Sequence, residues 1–106
     1  MSQEWMYLIL AGIFEIGWPV GLKMAQTPGR AALGVGLAVL CMGCSGVFLW
    51  LAQKSIPMGT AYAVWTGIGA AGAFCVGLAF YGDPANLLRV LGVALIVAGV
   101  VALKMA

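Results

Sequence analysis

Charged side chains are scarce in this chain of 106 residues. Only 8% of the residues are charged, five Lys or Arg and three Asp or Glu, while 64% are hydrophobic. Soluble domains carry about 25% charged and about 45–50% apolar residues, so this chain lacks the polar surface that water requires. The composition excludes a soluble domain. It predicts an all-α protein of the lipid bilayer, because spans of about 20 residues leave room for four helices and little else.

Histidine is absent, which removes the commonest metal ligand and the usual proton carrier at neutral pH. Without it no nucleophile, base and orienting group can be assembled, so we expect neither an enzyme nor a cofactor. No cluster of Lys or Arg forms a basic stripe, so nucleic acid is not an expected partner. A positively charged segment before the first apolar run is also lacking, and we expect no cleaved signal peptide.

The three cysteines all lie within apolar runs. Cys41 and Cys44 have the spacing of a CxxC motif, but the motif lacks a second pair, a His or a nearby cation that would activate a thiol. We interpret Cys41, Cys44 and Cys75 as small buried hydrophobic residues rather than as redox or metal groups.

Long apolar runs predict four spans in a single domain over residues 1–106. The spans cover residues 5–22, 31–52, 56–81 and 85–103. Turn residues separate them: Thr27-Pro28-Gly29, the residues before Pro57, and Gly82-Asp83-Pro84. Because the connections are short, we expect neighbouring spans to run antiparallel.

The cations are divided almost evenly between the two ends of such a bundle. Lys54 and Lys104 belong to one end, and Lys23, Arg30 and Arg89 to the other. The positive-inside bias that orients membrane proteins is therefore nearly absent. Either other factors fix one orientation, or the chain inserts both ways and opposite copies pair in a dual-topology dimer.

Glu15 is the only acidic residue within a predicted span. It follows Trp5, an interface anchor, by ten residues, so a helix places it about 15 Å deep, near the middle of a hydrocarbon core about 30 Å thick. An acid there costs about 2.5–3.5 kcal/mol on insertion scales. It is either a protonated carboxyl that hydrogen-bonds between helices or, as we favour, a site that exchanges a proton for a cation. No Lys or Arg lies deep enough to pair with it, so its partner must come from outside the chain.

Several residues are placed by helical spacing to form a site with this carboxylate. Pro19 has no N–H, so the carbonyl of Glu15 lacks its usual partner and we expect a kink there. Aromatic rings offer π faces and hydrogen-bond donors to a flat or quaternary cation. The predicted lining residues are Gly12, Trp18, Ser45, Tyr62 and Trp65.

Glycine within the spans points to helix packing. Gly92 and Gly99 are seven residues apart, on one face of a fourth span that holds no polar residue between Val90 and Leu103. Small residues let helices approach closely in lipid, so we assign this face to dimerisation as a hypothesis.

Over essentially its full length the chain resembles the small multidrug resistance transporters. The resemblance rests on AGIFEIGW at 11–18, Ser45 in the second span and PMGTAYAVWTGIGA at 57–70. It implies a proton-coupled exporter in the bacterial inner membrane that works as an antiparallel homodimer, with Glu15 of both copies in one shared site. Within the family, Gly12, Trp18 and Lys104 resemble the residues that the guanidinium exporter subtype has at these positions.

Two residues depart from that pattern: Pro19 stands where relatives usually have a small residue other than proline, and Asp83 where a glutamate is common. The expected substrate is guanidinium or a small related cation. The alternatives are export of hydrophobic quaternary ammonium compounds, or a membrane assembly protein that transports nothing.

Overall fold

The computed structural model describes residues 2–106 and consists of four α-helices. They are α1 (Gln3–Ala25), α2 (Ala31–Ala52), α3 (Met58–Phe80) and α4 (Leu87–Met105). All four are long and apolar enough to cross a membrane, which confirms the prediction of an all-α chain with four helices of that kind. The helix ends differ by up to three residues from the predicted spans.

The helix boundaries follow from local chemistry. The side chain of Ser2 accepts a hydrogen bond from the backbone N–H of Trp5, and Asn86 does the same for Arg89 at the start of α4, so both are N-caps. Gly29 and Gly82 adopt φ of 84° and 63° in the connections, a region that glycine enters without steric cost. The helix α1 continues through Pro19 to Ala25.

The helix α1 packs against both α2 and α3, whereas the backbone of α4 approaches only α3 within the described residues. Between α1 and α2 the backbones nearly touch. A Cβ added to Gly21 would lie 2.7 Å from the backbone nitrogen of Ala38, and one added to Gly34 would lie 2.5 Å from the Gly21 carbonyl oxygen. Glycine at these two positions therefore permits the backbones of α1 and α2 to pack closely.

The buried core is small and lies where α1, α2 and α3 meet, around Leu8, Ala52, Ile56, Ala61 and Val64. No residue of α4 is buried. Large hydrophobic side chains cover the outer faces of the helices, as expected for helices surrounded by lipid. The body is flat, 44 × 34 × 19 Å, and its thinnest dimension is about two helix diameters.

Cations mark the two ends of the bundle. At one end the Lys104 Nζ lies 4.9 Å from the centroid of the Trp5 ring, and at the other the Lys23 Nζ lies 6.0 Å from that of Tyr81. Such pairs of a cation and an aromatic ring are typical of the membrane interface. The structure thus places Lys104 and Lys23 at opposite ends of the bundle, as the division of the cations in the sequence assumed.

Candidate functional site

Glu15 lies in the middle of α1, on the seam between α1 and α3, and is half-buried. Its methylene carbons pack against Gly69 of α3. A Cβ added to Gly69 would lie 2.5 Å from Glu15 Cγ and 3.3 Å from Glu15 Cβ. Only a residue without a side chain leaves room for Glu15 in this position.

The carboxylate of Glu15 points to the surface of the protomer. Within residues 2–106 it accepts no hydrogen bond, and no buried side-chain oxygen or nitrogen in that range lacks a hydrogen-bond partner. Both oxygens are therefore accessible. Glu15 thus places in a membrane-spanning helix a carboxylate that makes no hydrogen bond to residues 2–106.

A chain of two hydrogen bonds ties three helices together one turn before Glu15. Trp65 Nε1 of α3 donates to Ser45 Oγ of α2 over 2.7 Å. Ser45 Oγ donates in turn to the backbone carbonyl of Ala11 in α1, also over 2.7 Å. Ser45 has no solvent exposure, and hydrogen bonds strengthen one another in such surroundings. The tie fixes the register of α1 against the other two helices.

These bonds use every polar proton of Ser45 and Trp65. A serine hydroxyl has one proton and an indole has one N–H, and here they go to Ala11 and Ser45. In this conformation neither side chain has a donor left for a ligand. Ala11 precedes Glu15 by one turn of α1, so Ser45 and Trp65 are bonded to the helix that carries the carboxylate.

Of the three aromatic residues predicted from sequence, two lie next to each other. Tyr62 and Trp65 lie with their ring centroids 5.4 Å apart at an interplanar angle of 51°. Tyr62 is 57% exposed, so its ring and hydroxyl are open to an incoming group. Trp18, one turn beyond Glu15, is half-buried.

The structure places Gly12 inside the helix packing. Gly12 is buried, and a Cβ added there would lie 2.7 Å from the side chain of Ile68 in α3. In this protomer it therefore lets α1 and α3 approach next to Glu15.

Two features of the site were missed by sequence reasoning. Gly69 is not among the predicted site residues, although it provides the space for Glu15. The carbonyl of Ala11 carries no signal in sequence, because every residue has one. The pattern Gly67-Ile68-Gly69 could have drawn attention to close packing at this level of α3.

The sequence profile of the family described as Small Multidrug Resistance protein matches residues 3–96. The chain belongs to this family. A protein of Escherichia coli K12 named guanidinium exporter is 45% identical over 103 residues, which cover 97% of each chain. One of Yersinia pseudotuberculosis with the same name is 42% identical over 104 residues, 98% of this chain and 99% of the relative. A third, from Salmonella typhimurium, is 41% identical over 103 residues.

Membership of the small multidrug resistance family agrees with the four apolar helices and identifies a multi-pass protein of the inner membrane. The relatives are named as exporters, not as enzymes. These matches cover 97–99% of the relatives and include all four helices.

Proposed function

We propose that this protein exports guanidinium in exchange for protons, as an antiparallel homodimer in which Glu15 of both copies forms one shared site. The observation that carries the proposal is the carboxylate of Glu15, which reaches the protomer surface within a membrane-spanning helix. It has no hydrogen-bond partner among residues 2–106. The names of relatives at 41–45% identity support guanidinium as the substrate.

A second copy is needed because one chain is too thin to enclose a pathway. The body measures only 19 Å in its smallest dimension, and α4 buries none of its residues. A carboxylate that opens on such a surface would face lipid in an isolated protomer, which is costly. Pairing of two Glu15 faces encloses both carboxylates in protein and excludes lipid from them.

The chemistry of exchange follows from two carboxylates in one site. They release and take up protons as a coupled pair. Guanidinium is planar, and its forked N–H donors match a carboxylate in a bidentate arrangement. Its binding requires proton release, and protonation from the opposite side of the membrane displaces it.

Tyr62, Trp65 and Trp18 wall the site, while Ser45 holds Trp65 and α1 in place. In an antiparallel pair the inward and outward openings are equivalent by symmetry, so exchange between them is nearly isoenergetic. The proton gradient then sets the direction of transport.

The test is Glu15→Gln, with Glu4→Gln as the matched control. Glu4 is also an acidic residue of α1 but lies in its first turn. Purified protein is reconstituted into liposomes that contain a pH-sensitive dye, and a guanidinium gradient is imposed. We expect the wild type and Glu4→Gln to move protons and Glu15→Gln to move none, with the dimer retained in all three. Proton-coupled transport by Glu15→Gln would contradict the proposal.

The same liposomes distinguish the alternatives. Currents on a solid-supported membrane are compared between guanidinium and a tetraphenyl-type cation. A larger, tighter response to the bulky cation would assign the protein to export of hydrophobic cations. Absence of current with both, from a protein that still assembles, would indicate a structural role for Glu15.

A further inference from the structure

A cleft of about 220 Å³ opens between the last turns of α1 and the connection from α3 to α4. It lies on the same α1–α3 seam as Glu15 but at the end of the bundle, beyond Pro19. Its wall carries one cation, Lys23, one anion, Asp83, and the ring of Tyr81. The Glu15 site does not use these three residues.

The Asp83 side chain lies against the end of α3. Its backbone N–H donates to the Gly77 carbonyl over 3.1 Å, and a Cβ added to Gly77 would collide with Asp83 Oδ2. The carboxylate therefore rests on α3 where Gly77 leaves room for it. Gly82, with φ of 63°, makes the turn that folds the chain back. The anion therefore forms part of the wall of the cleft.

Lys23 is positioned independently of Asp83. Its Nζ lies 6.0 Å from the centroid of the Tyr81 ring, and no ion pair within 4.0 Å joins it to Asp83 in residues 2–106. Two opposite charges thus face one cleft without forming an ion pair within 4.0 Å. A ligand that carries both signs can satisfy both groups at once.

The surroundings indicate where such a ligand comes from. The cleft lies where the apolar helices α1 and α3 end, which is the level of lipid headgroups. Its remaining wall includes apolar side chains, among them Pro19, Val20 and Val76. The charged groups lie toward the end of the bundle and the apolar side chains lie deeper in the membrane. This order matches the junction of a lipid headgroup with its acyl chains.

We propose that this cleft binds the headgroup of a zwitterionic phospholipid with a primary ammonium, namely phosphatidylethanolamine. Lys23 receives the phosphate and Asp83 the ammonium, while the chains begin along Pro19 and Val20. Phosphatidylcholine is disfavoured because its quaternary ammonium has no N–H to donate to Asp83. Phosphatidylglycerol offers Lys23 a phosphate but brings no cation to Asp83, only hydroxyl donors.

Native mass spectrometry of the purified protein, titrated with each of the three lipids, tests this. For the wild type we expect phosphatidylethanolamine to bind most tightly. Lys23→Gln should weaken all three lipids, by about two- to fivefold for a partly exposed charge contact. Asp83→Asn should remove the preference for phosphatidylethanolamine while phosphatidylglycerol binds at least as well as before. Arg30→Gln is the matched control, a cation at the same end but outside the cleft, and should change none of these affinities.

Unchanged lipid affinities in Lys23→Gln, together with an unchanged preference for phosphatidylethanolamine in Asp83→Asn, would overturn the proposal. So would displacement of the lipid by soluble phosphoethanolamine at equal concentration, because the ligand would then be the free zwitterion. If one variant does not fold, the other still gives its own charge-specific result. The measurement involves no transport, so its failure leaves the proposed export of guanidinium untouched.

Discussion

The side chain of Glu15 occupies the space that a side chain at Gly69 would fill. The two residues lie on facing helices, and a Cβ at position 69 would come within 2.5 Å of Glu15 Cγ. The position of the Glu15 side chain thus depends on a glycine of another helix. Changes on α3 can therefore move the carboxylate without touching Glu15 itself.

Gly69→Ala should impair transport without removing any charged or polar group. The added methyl overpacks the seam, which costs about 1–3 kcal/mol, and it pushes the Glu15 side chain from its place. We expect guanidinium-driven proton movement in liposomes to fall at least about tenfold.

Gly59→Ala is the matched control for this change, because it lies on the same helix with nothing within 4 Å of its added Cβ. It should transport as the wild type does. Equal activity of the two alanine variants would show that Gly69 does not position Glu15.

Ser45→Ala should destabilise the fold by breaking the tie among three helices. It removes the acceptor of the Trp65 N–H and the donor to the Ala11 carbonyl. The Ala11 carbonyl keeps its bond within α1, but the Trp65 N–H loses its acceptor, and leaving such a group unsatisfied costs about 1–3 kcal/mol. Reversible unfolding in bicelles measures the loss.

Trp65→Phe removes the other end of the same chain of bonds, so its effect should not add to that of Ser45→Ala in the double variant. Thr66→Val is the control, since its hydroxyl bonds only carbonyls of its own helix, those of Tyr62 and Ala63. It should change stability by less than about 0.5 kcal/mol. Full additivity of Ser45→Ala and Trp65→Phe would contradict the linked arrangement.

The sequence predicts the number of helices and singles out Glu15, because apolar length and a single intramembrane acid are local properties. It predicts less well where α4 begins. The span was expected to start at residue 85, whereas Asn86 caps a helix that begins at Leu87. An Asn followed by an apolar run is an N-cap signal, so this boundary was available in the sequence and was missed.

The packing around Glu15 could not be read in the same way. Ser45 and Trp65 were expected to line a site. Their residue types fit that role as well as they fit hydrogen bonding between helices, so the types alone do not distinguish the two. Which polar group each one bonds depends on how three helices are rotated against one another. Hydropathy does not specify this rotation, because all faces of these helices are apolar.

Substitutions at Gly92 and Gly99 should separate dimerisation from folding. A Cβ added at either position meets nothing within 4 Å in the protomer, so Gly92→Ile/Gly99→Ile should keep the helix content of the chain. If this face of α4 pairs with a second copy, the bulky side chains prevent close approach. We expect the dimer fraction, measured by single-molecule photobleaching in lipid bilayers, to fall at least about tenfold.

The matched control is Ala94→Ile/Ala98→Ile, which adds the same side chain on another face of the exposed α4 helix. It should leave the dimer fraction unchanged. An intact dimer in the glycine variant would exclude this face from the interface.

A single cysteine at Thr27 tests whether the chain inserts in both orientations. Thr27 is exposed in the connection between α1 and α2, so it faces one side of the membrane in each copy. The native cysteines are first replaced by alanine: Cys41, Cys44 and Cys75. Labelling of intact cells with a thiol reagent that does not cross the membrane then counts the copies whose Thr27 end faces outward.

Because the cations differ by only one between the two ends, we expect roughly half of the Thr27→Cys copies to be labelled. Adding positive charge at the Lys54 end, with Gln53→Lys/Ser55→Lys, should draw that end to the cytoplasmic side and raise the labelled fraction. A single fixed orientation gives labelling of nearly all or nearly none, and it resists two added lysines. Such a result would rule out pairing of opposite copies, since a shared site of two Glu15 residues in an antiparallel dimer requires both orientations in one membrane.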